Sequence, residues 1–428
     1  MFSVLRVGTY RRLFLAQVVA LVGTGLLTVA LGLLAFELAG DSAGAVMGTA
    51  LLIKMCAYVG FAPVVNAVVA RLPKKPVLIG ADLVRAAMAL CLPFITEVWQ
   101  IYAVIFLLQS ASATFTPAFQ SLIPSVLRQK RDYTHALTLS RLAYDMEALV
   151  SPALAALLLT SVSYNSLFLG TVAGFLSSAG MLVFTAVPRA AAGTAAGSVW
   201  HRTTLGVRMF WRNRQLRSLL ALNLVVAAPT ALVLVNSVVY VRTVLERPDT
   251  DLALALACFG VGSMIVALSA SRALKHFGER TVMLTGAVMI PTALTGVTVM
   301  MTFTGPGVWG WPMLLVLWFL LGAGNSSILT PSARLLRDAS DEHTRPYVFT
   351  AQFSLSHACY IIAYPLAGWL GAAAGLGPAA AALTVLAILG TAGAFISWPR
   401  RDSDIAGEPV SKENIGEQPT EESVPSPT

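Results

Sequence analysis

Long apolar segments recur along this chain, and they restrict its fold more than any other feature. Windows of about 20 apolar residues follow one another from Leu13 to Trp398. About 20 residues is the length a helix needs to cross the hydrocarbon core of a bilayer. Only 12% of the 428 residues are charged, whereas roughly a quarter are charged in soluble chains. We therefore predict an all-α membrane protein.

The apolar windows divide into twelve predicted transmembrane helices. The first is too long for the core of a cleavable signal peptide, so we expect it to be retained. The predicted spans are 13–38, 44–69, 77–95, 101–123, 136–160, 164–187, 218–240, 252–271, 281–303, 312–333, 347–371 and 377–398.

The distribution of basic residues predicts the orientation of these spans. With the N-terminus in the cytosol, 24 of the 29 Lys and Arg residues lie at cytosolic ends, and only Arg242 and Arg247 lie on the outer side. Such a bias is the positive-inside pattern of membrane proteins. We therefore expect a multi-pass protein of a bacterial inner membrane with both termini cytoplasmic. Because the net charge of +8 arises from topology signals, we expect no nucleic-acid partner.

Two halves of the chain resemble each other, which predicts two pseudo-symmetric six-helix bundles. The matched stretches are 107–111 with Thr116-Pro117 and 320–324 with Thr330-Pro331. A proline follows each Thr-Pro in the next span, Pro152 after 36 residues and Pro365 after 35. Six-span halves repeated in parallel are typical of one class of transporter, whose substrate site lies between the halves.

The repeat predicts four regions. Residues 1–187 form the N-terminal half and 218–398 the C-terminal half. Residues 188–217 form a cytoplasmic linker, in which the mixture of apolar residues and arginines over 200–219 predicts an amphipathic helix. Residues 399–428 are acidic and poor in apolar side chains, so we expect a disordered cytoplasmic tail.

The loop between spans two and three carries a family resemblance. Major facilitator superfamily transporters have Gly-x-x-x-Asp-Arg-x-x-basic-basic here, and this chain has Arg71, Lys74 and Lys75 at the basic positions. It departs from the pattern at Asn66, in place of glycine, and at Ala70, in place of the acid. Asp82 and Arg85 follow, as in many efflux members. Over residues 1–400 the chain resembles this superfamily, which implies a gating role for the five charged residues.

Span five resembles the antiporter motif Gly-x-x-x-Gly-Pro-x-x-Gly-Gly. The proline is Pro152, small residues replace three glycines, and Glu147 replaces the first glycine. This resemblance implies export. The stretches 29–35, Lys54-Met55 and 140–147 further resemble bacterial nickel-resistance exporters of the superfamily, although the tail 402–428 lacks their terminal histidines.

Several ionisable residues lie inside predicted spans. A charge at mid-bilayer costs about 3 kcal/mol even on lenient scales, so each is a functional candidate. Asp145 and Glu147 are candidate proton carriers, and Arg141, four residues before Asp145, is a candidate charge partner on the same helix face. Lys54 either extends its stem toward a surface or pairs with a carboxylate in the bundle.

His357 lies in span eleven, close to the repeat position of Asp145. It either carries a proton, ligates a metal together with Asp145 and Glu147, or is hydrogen-bonded core. Buried amides are candidates for lining a substrate cavity or for bridging helices: Gln17, Gln109, Asn223, Asn236 and Asn325. The few aromatic residues recognised among these polar positions favour a small solute.

We therefore expect a secondary active exporter, driven by proton antiport, of a small solute such as a divalent metal, with nickel as the example. The alternatives are a multidrug, antibiotic or siderophore pump, and a non-transporting membrane sensor or assembly factor. No Walker loop, catalytic triad, zinc set or nucleotide fingerprint is found in the sequence. We therefore expect no enzymatic activity, no cofactor and a monomer whose partners are the solute, protons and the bilayer.

The orientation is testable with reporter fusions. We expect fusions at Thr428 and near Gly193 to report the cytosol, and a fusion near Pro248 to report the outer side, because the basic loops stay inside. Alkaline phosphatase and fluorescent-protein reporters give the two readings. An outward-facing C-terminus would contradict the even number of spans.

Overall fold

Twelve long helices follow the predicted spans in the computed structural model, which describes residues 2–61, 73–127, 130–185, 207–304, 307, 309–340 and 345–398. The first six are α1 (Gly8–Ala39), α2 (Ala43–Cys56), α3 (Lys74–Cys91), α4 (Val98–Val126), α5 (Lys130–Leu159) and α6 (Asn165–Val183). The helical stretch Asp249–Val299 is interrupted at Gly278, with φ of 75°, and contains α8 (249–277) and α9 (279–299). The others are α7 (Arg214–Ala231), α10 (Gly310–Asp338), α11 (Arg345–Ala374) and α12 (Leu376–Ser397).

Shorter helical turns extend several of these helices. Ala57–Phe61 is a π-helical continuation of α2, and Met300–Thr304 is one of α9. After α7, two π turns flank a short α-helix, in the order Leu232–Asn236, Ser237–Val239 and Tyr240–Val244. The 3-10 turns are Phe2–Arg6, Gly40–Ser42 and Leu92–Phe94.

The predicted amphipathic helix over 200–219 is wrong in its extent. Residues 207–212 are helical, but Asn213 leaves the helical conformation. Its side chain accepts hydrogen bonds from the amides of Gln215 and Leu216, which is the geometry of an N-cap, so a new helix begins here. The linker 188–206 and the tail 399–428 lie outside the described residues, and the boundaries of the four regions stay predictions.

The surface is apolar where the helices face outward. Large hydrophobic side chains are strongly exposed along α5, α8 and α12, including Leu157, Leu268 and Leu389. A water-soluble surface does not present apolar rows of this kind, whereas lipid solvates them. Within the described ranges, nine helical segments are long and apolar enough to cross a membrane by length and composition. The chain is a multi-pass membrane protein.

The helices form two groups of six. In the first, α1 packs on α5 and α6, and α3 packs on α4 and α6. In the second, α7 packs on α10, α11 and α12, while 249–299 packs on α10 and α12. Between the groups, α2 packs along α11, and α5 packs on the stretch 249–299. The predicted architecture of two six-helix bundles is confirmed.

Small residues let α2 and α11 approach at backbone distance. A Cβ added to Gly48 would lie 2.8 Å from the carbonyl oxygen of Tyr364 and 3.0 Å from the Cα of Gly368. Gly44, one turn earlier on α2, also faces Gly368. Close packing of small residues is the usual way in which membrane helices associate, because lipid offers no hydrophobic drive between them. We call this contact the glycine seam.

Polar contacts join the two halves around the glycine seam. The indole Nε1 of Trp369 donates to Oγ1 of Thr49 at 2.9 Å, and Oγ1 of Thr243 donates to Oδ1 of Asp41 at 2.9 Å. Asp41 follows α1, whose N-terminus lies at the opposite end of the bundle. We call the end that contains Asp41 and Thr243 the far end, and the end where α1 begins the basic end.

A buried charge cluster holds the first half together. Asp82 and Arg85 form an ion pair one turn apart on α3, and both side chains are buried. Ser178 of α6 donates to the second oxygen of Asp82 at 2.7 Å. The Arg85 guanidinium lies 4.3 Å from the ring centre of Phe115 and 4.5 Å from that of Phe175. Cation–π contacts of this kind are strongest when desolvated, so the cluster joins α3, α4 and α6.

The glycine seam generates a stability prediction. Gly48→Ala places a methyl group against backbone atoms that have little freedom to move, so we expect a loss of roughly 1–3 kcal/mol of unfolding free energy. Gly44→Ala is the matched control, because its Cβ would meet the nearest atom at 3.4 Å. Unfolding in mixed micelles, titrated with a denaturing detergent, measures both. Equal effects of the two substitutions would contradict the close approach at Gly48.

The charge cluster generates a second prediction. Asp82→Asn leaves Arg85 buried without a counter-charge, so we expect a loss of about 3–5 kcal/mol, as for other broken buried pairs. Asp249→Asn is the control, because its pair with Arg242 is partly exposed and such pairs contribute about 0–1 kcal/mol. The same detergent titration separates the two. A small loss for Asp82→Asn would show that Arg85 is held by its aromatic neighbours alone.

Candidate functional site

Three ionisable side chains meet between the halves, each from a different helix. Lys54 is on α2, Glu147 on α5 and His357 on α11. Lys54 lies close enough to Glu147 for the opposite charges to attract, and it also acts electrostatically on His357. All three side chains are half-buried. Of the two alternatives for Lys54, the position beside Glu147 favours the pairing with a carboxylate inside the bundle, which stays a prediction.

This cluster lies well inside the bundle, far from either end. Lys54 is ten residues after Gly44 on α2, which at about 1.5 Å per residue places it roughly 15 Å from the far end. The hydrocarbon core is about 30 Å thick, so Lys54 is at half its depth. A substrate site at this depth between two halves is the arrangement found in transporters built from repeats.

Glu147 is held against α1 by close helix packing. Ser151, one turn later on α5, is fully buried, and a Cβ added to Gly25 of α1 would overlap its side chain. The same added atom would lie 3.5 Å from Cγ of Glu147. Among the described residues, no group hydrogen-bonds to the Ser151 hydroxyl. The carboxylate therefore projects from a helix face whose position is fixed by Gly25.

His357 is held by hydrogen bonds at Nδ1, the shorter of them to Phe353, and by ring contacts. Its Nδ1 lies 2.7 Å from the carbonyl oxygen of Phe353. Because a carbonyl oxygen only accepts, Nδ1 carries the proton, and Nε2 of the neutral ring is left as an acceptor. The imidazole lies 4.2 Å from the Phe353 ring and stacks at 5.6 Å on Tyr58, which belongs to the π-helical continuation of α2. This stack joins the two halves one turn beyond Lys54.

The aromatic residues around His357 are functional candidates that the sequence analysis did not recognise. Phe353, Tyr360 and Tyr364 share the α11 face of His357, and Tyr360 stacks on Tyr364 at 5.3 Å. The expectation of few aromatic residues near the polar positions is therefore wrong. The spacing of four, three and four residues from Phe353 to Tyr364 places these side chains on one helix face. This spacing was the sequence signal that could have revealed the aromatic cluster.

The buried amides have unequal environments. Asn223 of α7 and Gln352 of α11 exchange two hydrogen bonds, at 3.1 and 3.0 Å. Gln17 of α1 accepts a bond from Ser140 of α5 at 3.0 Å. These two amides bridge helices. Gln109 is buried on α4, and Nδ2 of Asn325 lies 3.5 Å from Oγ1 of Thr230.

Asn236 differs from these amides. It is fully buried, and neither its oxygen nor its nitrogen has a hydrogen-bond partner among the described residues. A role for any of the five amides in lining a substrate cavity stays a prediction.

Lys74 and Lys75 of the predicted gating loop lie at the basic end. Lys74 begins α3, and Nζ of Lys75 donates to the carbonyl oxygens of Val183 at 2.8 Å and Thr185 at 2.9 Å. A cation at these last carbonyls of α6 is favoured by the helix dipole. Asp82 and Arg85 form the buried pair described above. Arg71, with Asn66 and Ala70, lies outside the described residues.

A metal site is not formed by the side chains that the structure describes. Within that part of the chain, no group of three or more His, Cys, Asp and Glu residues could hold an ion. The predicted set also contains Asp145, whose side chain lies outside the described residues, as does that of Arg141. The predicted Arg141–Asp145 pair and the metal set therefore stay predictions.

Solved transporter structures share this fold. The nucleoside transporter NupG superposes with a TM-score of 0.70 at 14% identity, covering 91% of this chain and 98% of that one. A peptide transporter, POT, superposes with a TM-score of 0.67 at 12% identity over 91% of this chain and 94% of its own. At such identities the likeness establishes the fold alone.

Two characterised relatives match part of the chain. Macrolide efflux protein A of Streptococcus pyogenes is 26% identical over 178 residues, which is 40% of this chain and 43% of the relative. The Enterococcus faecalis protein of the same name is 27% identical over 153 residues, 33% of this chain and 47% of the relative. The chain thus spans less than half the length of these relatives.

The superfamily is established by a match along nearly the whole chain. The model of the Major Facilitator Superfamily matches residues 13–247 and 240–424. The match therefore covers both six-helix bundles and the cluster of Lys54, Glu147 and His357 between them. This chain belongs to the Major Facilitator Superfamily and is a multi-pass membrane transporter.

Proposed function

We propose that this transporter is a proton-coupled exporter of an organic solute, and that Glu147 carries the proton. The observation that carries the proposal is the position of Glu147 beside Lys54, at mid-depth between the halves. Ionisable residues at this depth of a membrane bundle mark ion pathways and proton relays. The resemblance of span five to an antiporter motif supports the direction of transport.

Because Glu147 lies beside Lys54, protonation of Glu147 changes the net charge at the contact between the two halves. With Glu147 ionised, the pair is neutral and its attraction holds α5 to α2. A proton on Glu147 removes that attraction and leaves the positive charge of Lys54 beside His357. The two protonation states therefore favour different arrangements of the three helices, which is the differential interaction that a coupled conformational change needs.

Three observations favour an organic solute over a divalent metal. The rings of Tyr58, Phe353 and Tyr360 surround His357, and such faces bind organic groups and cations. The relatives named macrolide efflux proteins match in part of their length. The described residues also contain no metal-binding group of three or more ligands. Nickel stays the alternative, and it requires the side chain of Asp145.

The solute class is tested with cells that overexpress the protein and with cells that overexpress the Glu147→Gln variant, which we expect to lack uphill export, as the reference. We expect raised resistance to a macrolide such as erythromycin or to an aromatic dye such as ethidium, and unchanged resistance to Ni²⁺. Resistance to Ni²⁺ alone would contradict the organic solute. Export itself is measured as dye efflux from preloaded inverted and right-side-out vesicles, which also tests placement in the inner membrane.

The role of Glu147 is tested by proton flux in proteoliposomes that contain a pH-sensitive dye. Adding the solute to the native protein should release protons, whereas Glu147→Gln should release none because an amide carries no exchangeable carboxyl proton. Solute exchange without a gradient should stay measurable, since exchange needs no net movement of protons. Glu279→Gln is the matched control, because Glu279 pairs with Arg334 at 2.6 Å at the basic end.

Full solute-evoked proton release from the Glu147→Gln protein would contradict the proposed carrier. The role would then pass to Asp145 or His357, the other two candidates. Loss of proton release in the Glu279→Gln control as well would indicate a general defect of folding or insertion. That defect is recognised independently by the yield of monodisperse protein.

A further inference from the structure

Asn236 is a buried amide of the far end whose oxygen and nitrogen both lack a hydrogen-bond partner among the described residues. It lies on the π turn Leu232–Asn236, immediately before the short helix Ser237–Val239. Its side chain is fully buried, and both amide atoms lack a partner within the part of the chain that the structure describes. Buried side-chain polar groups in proteins nearly always have a partner, so each exception calls for an explanation.

The amide faces both halves at once. A Cβ added to Gly44, on α2 in the first half, would lie 3.4 Å from Oδ1 of Asn236. Its Nδ2 lies 3.4 Å from the corresponding point on Gly371 of α11, in its own half. Glycine offers no side chain that could hydrogen-bond. Separation of the halves therefore uncovers the oxygen side of the amide, while Gly371 moves together with α7.

An opening to water lies next to this point. A cavity of about 450 Å³ is lined by Asp41 from the first half and by Val239, Thr243, Gly371 and Leu376 from the second, among others. Gly371 is shared between the cavity wall and the contact with Asn236. Movement of α2 away from this contact would widen the cavity toward the amide and give water access to a side chain that is fully buried in this structure.

We propose that Asn236 is a gating residue that opposes closure of the far end. In the open arrangement, water hydrogen-bonds to the amide. Closure removes this water and supplies no protein partner, which destabilises the closed arrangement. The glycine seam and the Asp41–Thr243 and Thr49–Trp369 bonds favour closure, and Asn236 offsets part of their contribution. The two arrangements are thereby kept close in free energy, as alternation requires. This inference does not depend on the solute or on the coupling ion.

The test measures the distance between the halves in the full-length protein. Spin labels are attached at Ser161→Cys, between α5 and α6, and at Gly307→Cys, between α9 and α10, both exposed at the far end. The four native cysteines are first replaced by serine: Cys56, Cys91, Cys258 and Cys359. Pulsed electron paramagnetic resonance in nanodiscs then gives the ratio of separated to closed far ends.

Asn236→Leu keeps the branching of the side chain and removes both unpaired polar atoms. We expect it to lower the separated-to-closed ratio by about 5- to 150-fold, the range that corresponds to one unpaired buried group. Asn236→Ala, which adds no volume, should change the ratio in the same direction even if leucine does not fit. If few native molecules are separated, the same comparison is made in the Gly48→Ala background, which weakens the glycine seam.

Asn223→Leu is the matched control on the same helix. Its amide is paired with Gln352 within one half, so its loss should leave the distance between the halves unchanged. An unchanged ratio in both Asn236 variants would overturn the proposal. So would a raised ratio, which would show that the amide stabilises the closed far end through a bound water or ion.

Discussion

Hydrocarbon solvates neither a charge nor a peptide group, and this constraint governs the buried polar contacts described above. The backbone satisfies it by forming helices, and the side chains satisfy it by pairing inside the bundle. Asp82 and Arg85 neutralise each other, with Ser178 on the remaining oxygen. Lys75 reaches the terminal carbonyls of α6. The positive charges that orient a chain of this kind thus also complete the hydrogen bonds of its helix ends.

The same constraint explains why the halves meet through small residues. Since apolar side chains gain little by leaving lipid for each other, association depends on close van der Waals contact and on a few polar bonds. Gly48 supplies the contact, and Thr49 with Trp369 supplies a bond one residue away. An interface of this type is easily separated and re-formed, because it has no large hydrophobic area to lose. A transporter that alternates between two arrangements needs that property.

The fold was predictable because most spans carry their own hydropathy signal, so most of the twelve helices follow from local composition. The ends of the helices were less predictable, since Asn213 starts a helix through capping geometry that an apolar window does not contain.

The site was predictable in part. Glu147 and Lys54 stand out as charges in apolar surroundings, whereas Tyr58 and Phe353 are ordinary in any span and become neighbours only through the rotation of α2 against α11. Likewise, Asn223 and Asn236 are both asparagines, one on α7 and the other on the π turn that follows it. Only the residues on the facing helices determine that Asn223 is paired and Asn236 is not.

Under the proposed coupling, Lys54 determines the effect that a proton on Glu147 has at this site. If Glu147 stood alone between the halves, protonation would turn a charged group into a neutral one and would reduce the electrostatic cost of burial. Beside Lys54, ionised Glu147 belongs to a pair that has no net charge. Protonation of Glu147 then leaves one uncompensated positive charge where α2, α5 and α11 meet. The same proton would thus stabilise the contact of the three helices if Glu147 stood alone, and it destabilises this contact when Lys54 is present. It also discourages a cationic solute from remaining, because the solute then meets Lys54 without its counter-charge. In this arrangement the lysine converts the binding of a proton into a force between helices, and the carboxylate alone would not.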